Sequence, residues 1–349
     1  MAKIKTKKRS KIFILVIEII VLLLLSVALF VTIKLGKIKR DRTSMKDVEY
    51  NEDISAESQA LMDDYKTVAL FGLDNRSNGN LSSGRSDVII LANINQKTRT
   101  VDLVSVYRDT YLDVGGGSFR KCNEGYAKNP ANAITMLNKN LDLNISDYLT
   151  VDFNAIIECV DLLGGVEVTV TDDEANLMHG YMDELNTLTS HSSEYLPSGG
   201  TYVLDGVQAC AYSRIRYGGG DDYRRTERQR TVISAMVAKA KQSNILTLNK
   251  LINTIFSDIQ TSFSNTELLT LAAAIFSYDI GESTGFPFEK NTITLSGAGD
   301  VVVPCDLSTN VTKLHELLYK DTGYKPSSTV VNNSSQIITN TGYRAGDGY

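Results

Sequence analysis

Histidine and cysteine are scarce in this 349-residue chain, and their scarcity closes off two kinds of chemistry. The three histidines, His179, His191 and His315, lie far apart. Neither a histidine-based metal site nor a Ser-His-Asp triad is indicated by that scatter. The four cysteines, Cys122, Cys159, Cys210 and Cys305, include no C-x-x-C pair and match no zinc spacing. They read either as small buried apolar side chains or, in a domain outside the cell, as one or two disulfides of open pairing. A broad basic face is also missing. Residues 1–42 carry 11 Lys and Arg against Glu18 and Asp41, while the remainder carries 25 basic and 39 acidic residues, a balance of −14. An acidic body argues against nucleic acid as a partner, and a basic head suits an anionic lipid surface.

What is present begins with one long apolar run. Ile12 to Ile33 holds 22 residues interrupted only by Glu18, Ser26 and Thr32. About 20 helical residues at a 1.5 Å rise cross a bilayer core. The run is longer than a signal-peptide core, and Lys34-Leu35-Gly36-Lys37 makes a poor cleavage site. It reads as an uncleaved signal anchor. Six basic residues precede it and five follow, which gives a slight bias to a cytoplasmic N-terminus. The chain then divides into a basic cytoplasmic tail (1–11), a transmembrane anchor (12–33), a polar linker (34–64), an extracytoplasmic domain (65–320) and a disordered tail (321–349) rich in Ser, Thr, Asn and Gly.

Within the domain, strands are predicted at 68–74, 87–96 and 100–109, with a hairpin between the last two. A helix follows at 130–141, then a strand at 148–153, a helix at 154–165 and a strand at 166–170. Residues 172–200 have no clear pattern. Residues 206–217 read as a helix followed by a strand or turn, and further helices are predicted at 224–242, 246–258, 265–278 and 311–319. Interleaved strands and helices indicate an α/β domain, an α-β-α sandwich about a central mixed sheet.

Two groups of residues suggest chemistry. Six arginines fall between 214 and 230: Arg214, Arg216, Arg224, Arg225, Arg228 and Arg230. On a strand, Arg214 and Arg216 share a face. On the following helix, Arg225 and Arg228 share one. Guanidinium forks gathered at a helix N-terminus suit phosphate oxygens. The same clustering also fits a solvated face paired with Glu227 and nearby acids. Asp74 ends the first strand and Asp87 begins the second, so both carboxylates fall at one sheet edge. They would suit magnesium or simple strand-end capping. Arg85 and the Arg108-Asp109 pair fall at the same edge, and ligand sites in α/β sheets favour strand ends.

Taken together, FGLDNR (71–76), GRSD (84–87), VSVYRDTYLDV (104–114), KCNEGYA (121–127), LLGGVEVTV (162–170), LDGVQACAYSRIRY (204–217) and DDYRRTERQR (221–230) resemble the LytR-CpsA-Psr family of cell-envelope phosphotransferases. The resemblance covers roughly residues 65–320. It implies transfer of a glycopolymer with one phosphate, whether teichoic acid or capsule, from a polyprenyl diphosphate carrier to peptidoglycan. It implies magnesium, or manganese in its place, on Asp74 and Asp87. It further implies diphosphate binding by Arg85, Arg108, Arg214, Arg216 and Arg225, a hydrogen bond from Gln229, and Asp222 near the acceptor. Two positions depart from the family pattern: Tyr107 stands where proline is usual, and Arg224 where glycine is usual. A pyrophosphatase and a membrane-tethered glycan-binding regulator are the alternatives. The first would use water as acceptor, and the second would not need Asp87.

Overall fold

The computed structural model describes residues 39–40, 44–73, 81–82, 84–216, 221–244, 247, 250–251 and 259–349. The anchor at 12–33 and Asp74 lie outside these residues, as does most of the helix predicted at 246–258. Among the described residues no helix is long and apolar enough to cross a membrane.

Thirteen strands are present among the described residues: β1 (Lys39–Arg40), β2 (Tyr65–Leu73), β3 (Ser86–Asn95), β4 (Thr100–Val106), β5 (Tyr111–Asp113), β6 (Phe119–Lys121), β7 (Asp147–Val151), β8 (Val166–Val170), β9 (Gly200–Leu204), β10 (Ile259–Thr261), β11 (Asp279–Phe286), β12 (Lys290–Leu295) and β13 (Gly299–Pro304). The helices are α1 (Ala56–Met62), α2 (Pro130–Leu141), α3 (Phe153–Leu162), α4 (Asp172–Leu188), α5 (Gly206–Arg214), α6 (Asp221–Gln242), α7 (Asn265–Ala274), α8 (Leu307–Tyr319) and α9 (Ser328–Thr341). Seven strands form one mixed sheet in the order β1-β10-β7-β2-β3-β4-β11. β2, β3 and β4 run antiparallel to their neighbours in this trio, while β7 on one side and β11 on the other pair parallel. The class is the mixed α/β fold that the interleaved pattern predicts.

Both sheet faces are covered, and the strand sequences explain why. On β2 and β3, Ala69, Phe71, Ile89 and Leu91 join one core, which α2, α8 and α9 complete through Leu137, Leu314 and Ile337. The alternate residues Leu70, Val88, Ile90 and Ala92 pack on the other face with Ile233 of α6. A period of two sends neighbours to opposite faces, so runs apolar at every position need helices on both sides. A separate core joins α3, α4 and α5 to β8 and β9. All four cysteines are free and buried, which settles their role in favour of apolar packing.

Several expectations need correction. The tail from Asp321 is ordered: Ser327 caps α9 and Gly342 ends it in the left-handed region. Val330 and Ile337, seven apart, seat it on the core. Its Ser/Thr/Asn-rich exposed side disguised a helix with only a narrow apolar stripe. The linker is likewise not loose in its described part. It holds a 3-10 turn (Ser44–Asp47) and α1, with Met62 in the core. The unassigned stretch at 172–200 contains α4, opened by a capping box between Thr171 and Glu174. β11, β12 and β13 were not foreseen at all.

Candidate functional site

Antiparallel pairing of β3 with β4 brings the start of one strand to the end of the other. Asp87 and Arg108 therefore meet, with Arg108 Nη1 donating to Asp87 Oδ1 at 2.7 Å. Arg108 Nε lies 3.5 Å from Asp109 and 3.9 Å from Asp222. The first turns of α6 deliver Asp222 and Arg225, whose Nη2 is 2.8 Å from Asp222 Oδ1. Arg216, just past α5, reaches within 3.9 Å of Asp87 Oδ2. Five of the nine residues singled out in the sequence thus converge: Asp87, Arg108, Arg216, Asp222 and Arg225.

The remaining four fall elsewhere. Asp74 is outside the described residues. Arg85 leans toward Glu124 at 3.6 Å, and its side chain is 70% exposed. Arg214 does not sit on a strand beside Arg216. It closes α5, pairs with Glu184 at 2.9 Å and stacks on Phe153. Gln229 lines a neighbouring cavity and donates to Ser213 O at 3.5 Å. The expected Arg225–Arg228 pairing also fails. Arg228 is bonded to Glu174 at 2.7 Å and to the carbonyl of Ile215. Arg230 ties α6 to the sheet through Ser105 and Ser283.

Charge is held here under strain of solvation. The Arg225 side chain is only 3% exposed. Burial pushes its pKa down to about 10, with Arg108 and Arg216 pressing the same way and Asp222 opposing them. Arg108 is raised despite its burial, because Asp87, Asp109 and Asp222 outweigh desolvation. Both stay cationic at neutral pH.

The decisive feature is incompleteness. Among the described residues, twelve buried side-chain N or O atoms lack a hydrogen-bond partner, and four of them belong to Arg108, Asp222 and Arg225 of this cluster. Arg225 Nη2 counts among them although Asp222 is near, because the pair is close without hydrogen-bond alignment. Buried polar groups are ordinarily satisfied, so orphans gathered in one place mark a ligand's position.

Beside this cluster lies a cavity of about 290 Å³ between the sheet and α3, α5 and α6. Leu70, Val88, Ile90, Phe153, Ile233 and Met236 wall it, with Asp87 and Gln229 among its lining. In sequence, such residues read as core. The two-faced apolar pattern of β2 and β3 was the available signal, but it does not separate a filled core from an open one. Gly72 belongs to this wall, because a side chain there would collide with Val88 at 2.8 Å.

The oxygen donors of the cluster are carboxylates, the ligand type magnesium prefers. Among the described residues no three metal-ligating side chains gather. A divalent ion on Asp87 would therefore need further ligands from elsewhere, such as a substrate.

The LytR_cpsA_psr family model matches residues 27–298. Over 265 residues the chain is 33% identical to the polyisoprenyl-teichoic acid–peptidoglycan teichoic acid transferase TagU of Enterococcus faecalis, covering 74% of this chain and 78% of that one. It is 26% identical over 329 residues to the Bacillus subtilis transferase TagV, covering 88% and 80% respectively. Among solved structures, TagT bound to LI-WTA matches with a TM-score of 0.58 and 23% identity, over 74% of this chain and 91% of that one. At that identity the likeness is one of fold.

Proposed function

The chain belongs to the LytR_cpsA_psr family, and from that premise we propose that it transfers a glycopolymer with one phosphate from a polyprenyl diphosphate carrier to a peptidoglycan hydroxyl. The single observation carrying this reading is the group of unpartnered buried donors on Arg108 and Arg225 beside an apolar cavity. A diphosphate joined to a prenyl chain has the matching two-part chemistry: anionic oxygens at one end, hydrocarbon at the other. The relatives' names make teichoic acid the polymer of choice.

In this reading Arg108, Arg216 and Arg225 take the diphosphate oxygens, and the first isoprene units enter the cavity. Gln229, at the cavity wall, adds a hydrogen bond, while Arg214 and Arg85 would have to leave Glu184 and Glu124 to reach the diphosphate. The acceptor oxygen attacks the phosphorus that carries the glycopolymer. The bond from that phosphorus to the bridging oxygen breaks, and polyprenyl monophosphate leaves. Asp222, with Oδ2 unpartnered, takes the hydroxyl proton. Such chemistry consists mainly of positioning and charge neutralisation. Magnesium held by Asp87 and Asp74 would oppose the phosphate charge. The run at 12–33 would anchor the chain, placing the catalytic domain outside the membrane with the N-terminus in the cytoplasm.

The test is to incubate the full chain in detergent with a short-chain polyprenyl diphosphate-linked disaccharide, a peptidoglycan oligomer and magnesium. Products are followed by mass spectrometry. A glycan–phosphate–peptidoglycan adduct is expected. Asp87→Ala and Arg108→Ala should each lower its rate about 10²–10³-fold, and a chelator should suppress it until magnesium is restored. Prenyl monophosphate released without an adduct would make water the acceptor and the protein a pyrophosphatase.

A further inference from the structure

Helix α9 has no charged residue in its 14 positions, in a chain that is 22% charged. Its exposed side is built from Ser, Thr, Asn and Gln, with Val331 among them. Thr329, Asn333, Gln336 and Asn340 follow at intervals of four, three and four, so they form one stripe along the helix. The stripe borders two open cavities, and the tip of the β5–β6 hairpin borders both as well. One, of about 360 Å³, takes in Thr329, Asn333, Gly115 and Gly116. The other, of about 460 Å³, takes in Gln336, Asn340 and Gly117.

Hydrogen bonds fix the shape of this cleft. Asp113 accepts from Gly115 N at 2.9 Å and from Gly117 N at 3.1 Å, which holds the hairpin tip. Asn333 Nδ2 donates to Asn140 Oδ1 at 3.0 Å, Gln336 Nε2 to Asn340 Oδ1 at 2.8 Å, and Asn340 Nδ2 to the Tyr111 hydroxyl at 3.2 Å. Each amide nitrogen keeps a second hydrogen to give. Tyr111 and Phe119 pack with ring centroids 5.8 Å apart, and half-buried Phe119 lines the wider cavity. Two cations border the cleft, Arg120 in the wider cavity and Lys128 in the narrower. Neither has a carboxylate partner among the described residues. Arg120 passes over the β12–β13 turn, where a side chain at Gly297 would stand 3.1 Å from its Nη1.

Solvated surfaces usually intersperse charges of both signs. A row of amides, an aromatic ring and two unneutralised cations suit another purpose. Amides give and take hydrogen bonds as sugar hydroxyls do, and a guanidinium fork fits phosphodiester oxygens. An aromatic face covers the C–H side of a sugar ring. The cleft starts near the transfer site: Tyr111 pairs in register with Lys121, whose ammonium lies 3.1 Å from Asp109. We propose that the cleft between α9 and the β5–β6 hairpin holds a phosphodiester-linked glycan strand. Arg120 meets a phosphate, and Asn333, Gln336 and Asn340 meet sugar hydroxyls. This deepens the transferase reading by giving the donor's polymer a seat beyond its diphosphate. It rests on that reading for the identity of the polymer, though not for the binding itself.

The experiment is isothermal titration of the full chain in detergent with two probes. One is a hexamer of N-acetylglucosamine joined through 1-phosphate diesters. The other is the neutral β-1,4-linked N-acetylglucosamine hexamer. The unaltered chain should bind the phosphodiester about tenfold tighter, or about 1.4 kcal/mol. Arg120→Gln should erase that preference, whereas Arg108→Ala, in the transfer site, should leave it in place. Asn340→Asp, which keeps the side chain's shape and adds a negative charge beside Arg120, should weaken the phosphodiester alone. Equal affinity for the two probes, no binding of either, a preference that survives Arg120→Gln, or one that vanishes in Arg108→Ala would overturn the cleft. A phosphodiester preference in a chain that makes no adduct would sink the transferase reading and leave the cleft standing. An adduct made without the preference would do the reverse.

Discussion

Two polar clusters in this molecule, each built round an aspartate, serve opposite ends. Asp142 closes α2 in the left-handed region, and both of its carboxylate oxygens are met by donors. Oδ1 accepts from Asn51 at 2.6 Å, and Oδ2 accepts from Tyr324 at 2.7 Å and from the backbone of Ser327 at 2.8 Å. Around Asp222 the count is left short: Oδ2 has no partner, and neither do Arg225 Nε and Nη2. A buried carboxylate with three donors rigidifies a fold, whereas an open one costs about 1–3 kcal/mol per unmet group. The difference teaches that burial of charge is not the mark of a site. Unfinished hydrogen bonding is.

The comparison can be broken most sharply at Arg225. Arg225→Gln should lower the rate of transfer about 10³-fold while the thermal midpoint holds or rises, because an unsatisfied buried cation is removed. Loss of stability with transfer intact would put Arg225 in the structural class. Asp142→Ala should behave the other way. Three donors lose their acceptor, so about 4 kcal/mol of unfolding free energy should disappear in a denaturant titration. Transfer by the fraction still folded should stay within about twofold of the parent.

A smaller effect belongs to His315, which stacks on Tyr324 with ring centroids 3.6 Å apart. Burial pushes its pKa down to about 4, against the opposing pull of the Leu141 carbonyl and of Asp142 and Asp321. The folded state therefore favours the neutral ring. Its contribution to stability is complete above pH 6.5 and is lost as pH falls toward 4. The total is about 3 kcal/mol at 1.36 kcal/mol per pH unit. Denaturation midpoints measured from pH 7 to pH 4 should show this slope, and His315→Gln should flatten it. An unchanged slope in that variant would assign the acid sensitivity to other groups.

How much of this was legible in the sequence depended on the range of the signal. Local patterns served well. The helix predicted at 130–141 is α2 and the strand predicted at 166–170 is β8, both with the expected bounds. The predicted hairpin placed Asp87 and Arg108 at one sheet edge, and the register of β3 on β4 brings them into contact. Arg214 was misplaced because helix α5 runs through the residue expected to begin a strand, which turns its side chain toward Glu184. Nothing local distinguishes Arg228, fastened to Glu174, from Arg225 three residues earlier. The cavity was invisible for another reason: apolar residues read the same whether helices press onto them or stand away. The amide-lined cleft needed α9 set against the β5–β6 hairpin, a long-range contact that no sequence period encodes.

One seam described only through its parts has a consequence for how the molecule comes together and comes apart. Asn51 bonds to Ser327, the backbone of Ser328 to Asp53, and Ser58 to Asp321 at 2.5 Å. These partners stand more than 260 residues apart in the chain. Such distant closures come late in folding, after the loops between them have been ordered. Once made, they act as a latch. Neither flank can fray alone, so a protease finds purchase on this side only when the whole domain opens.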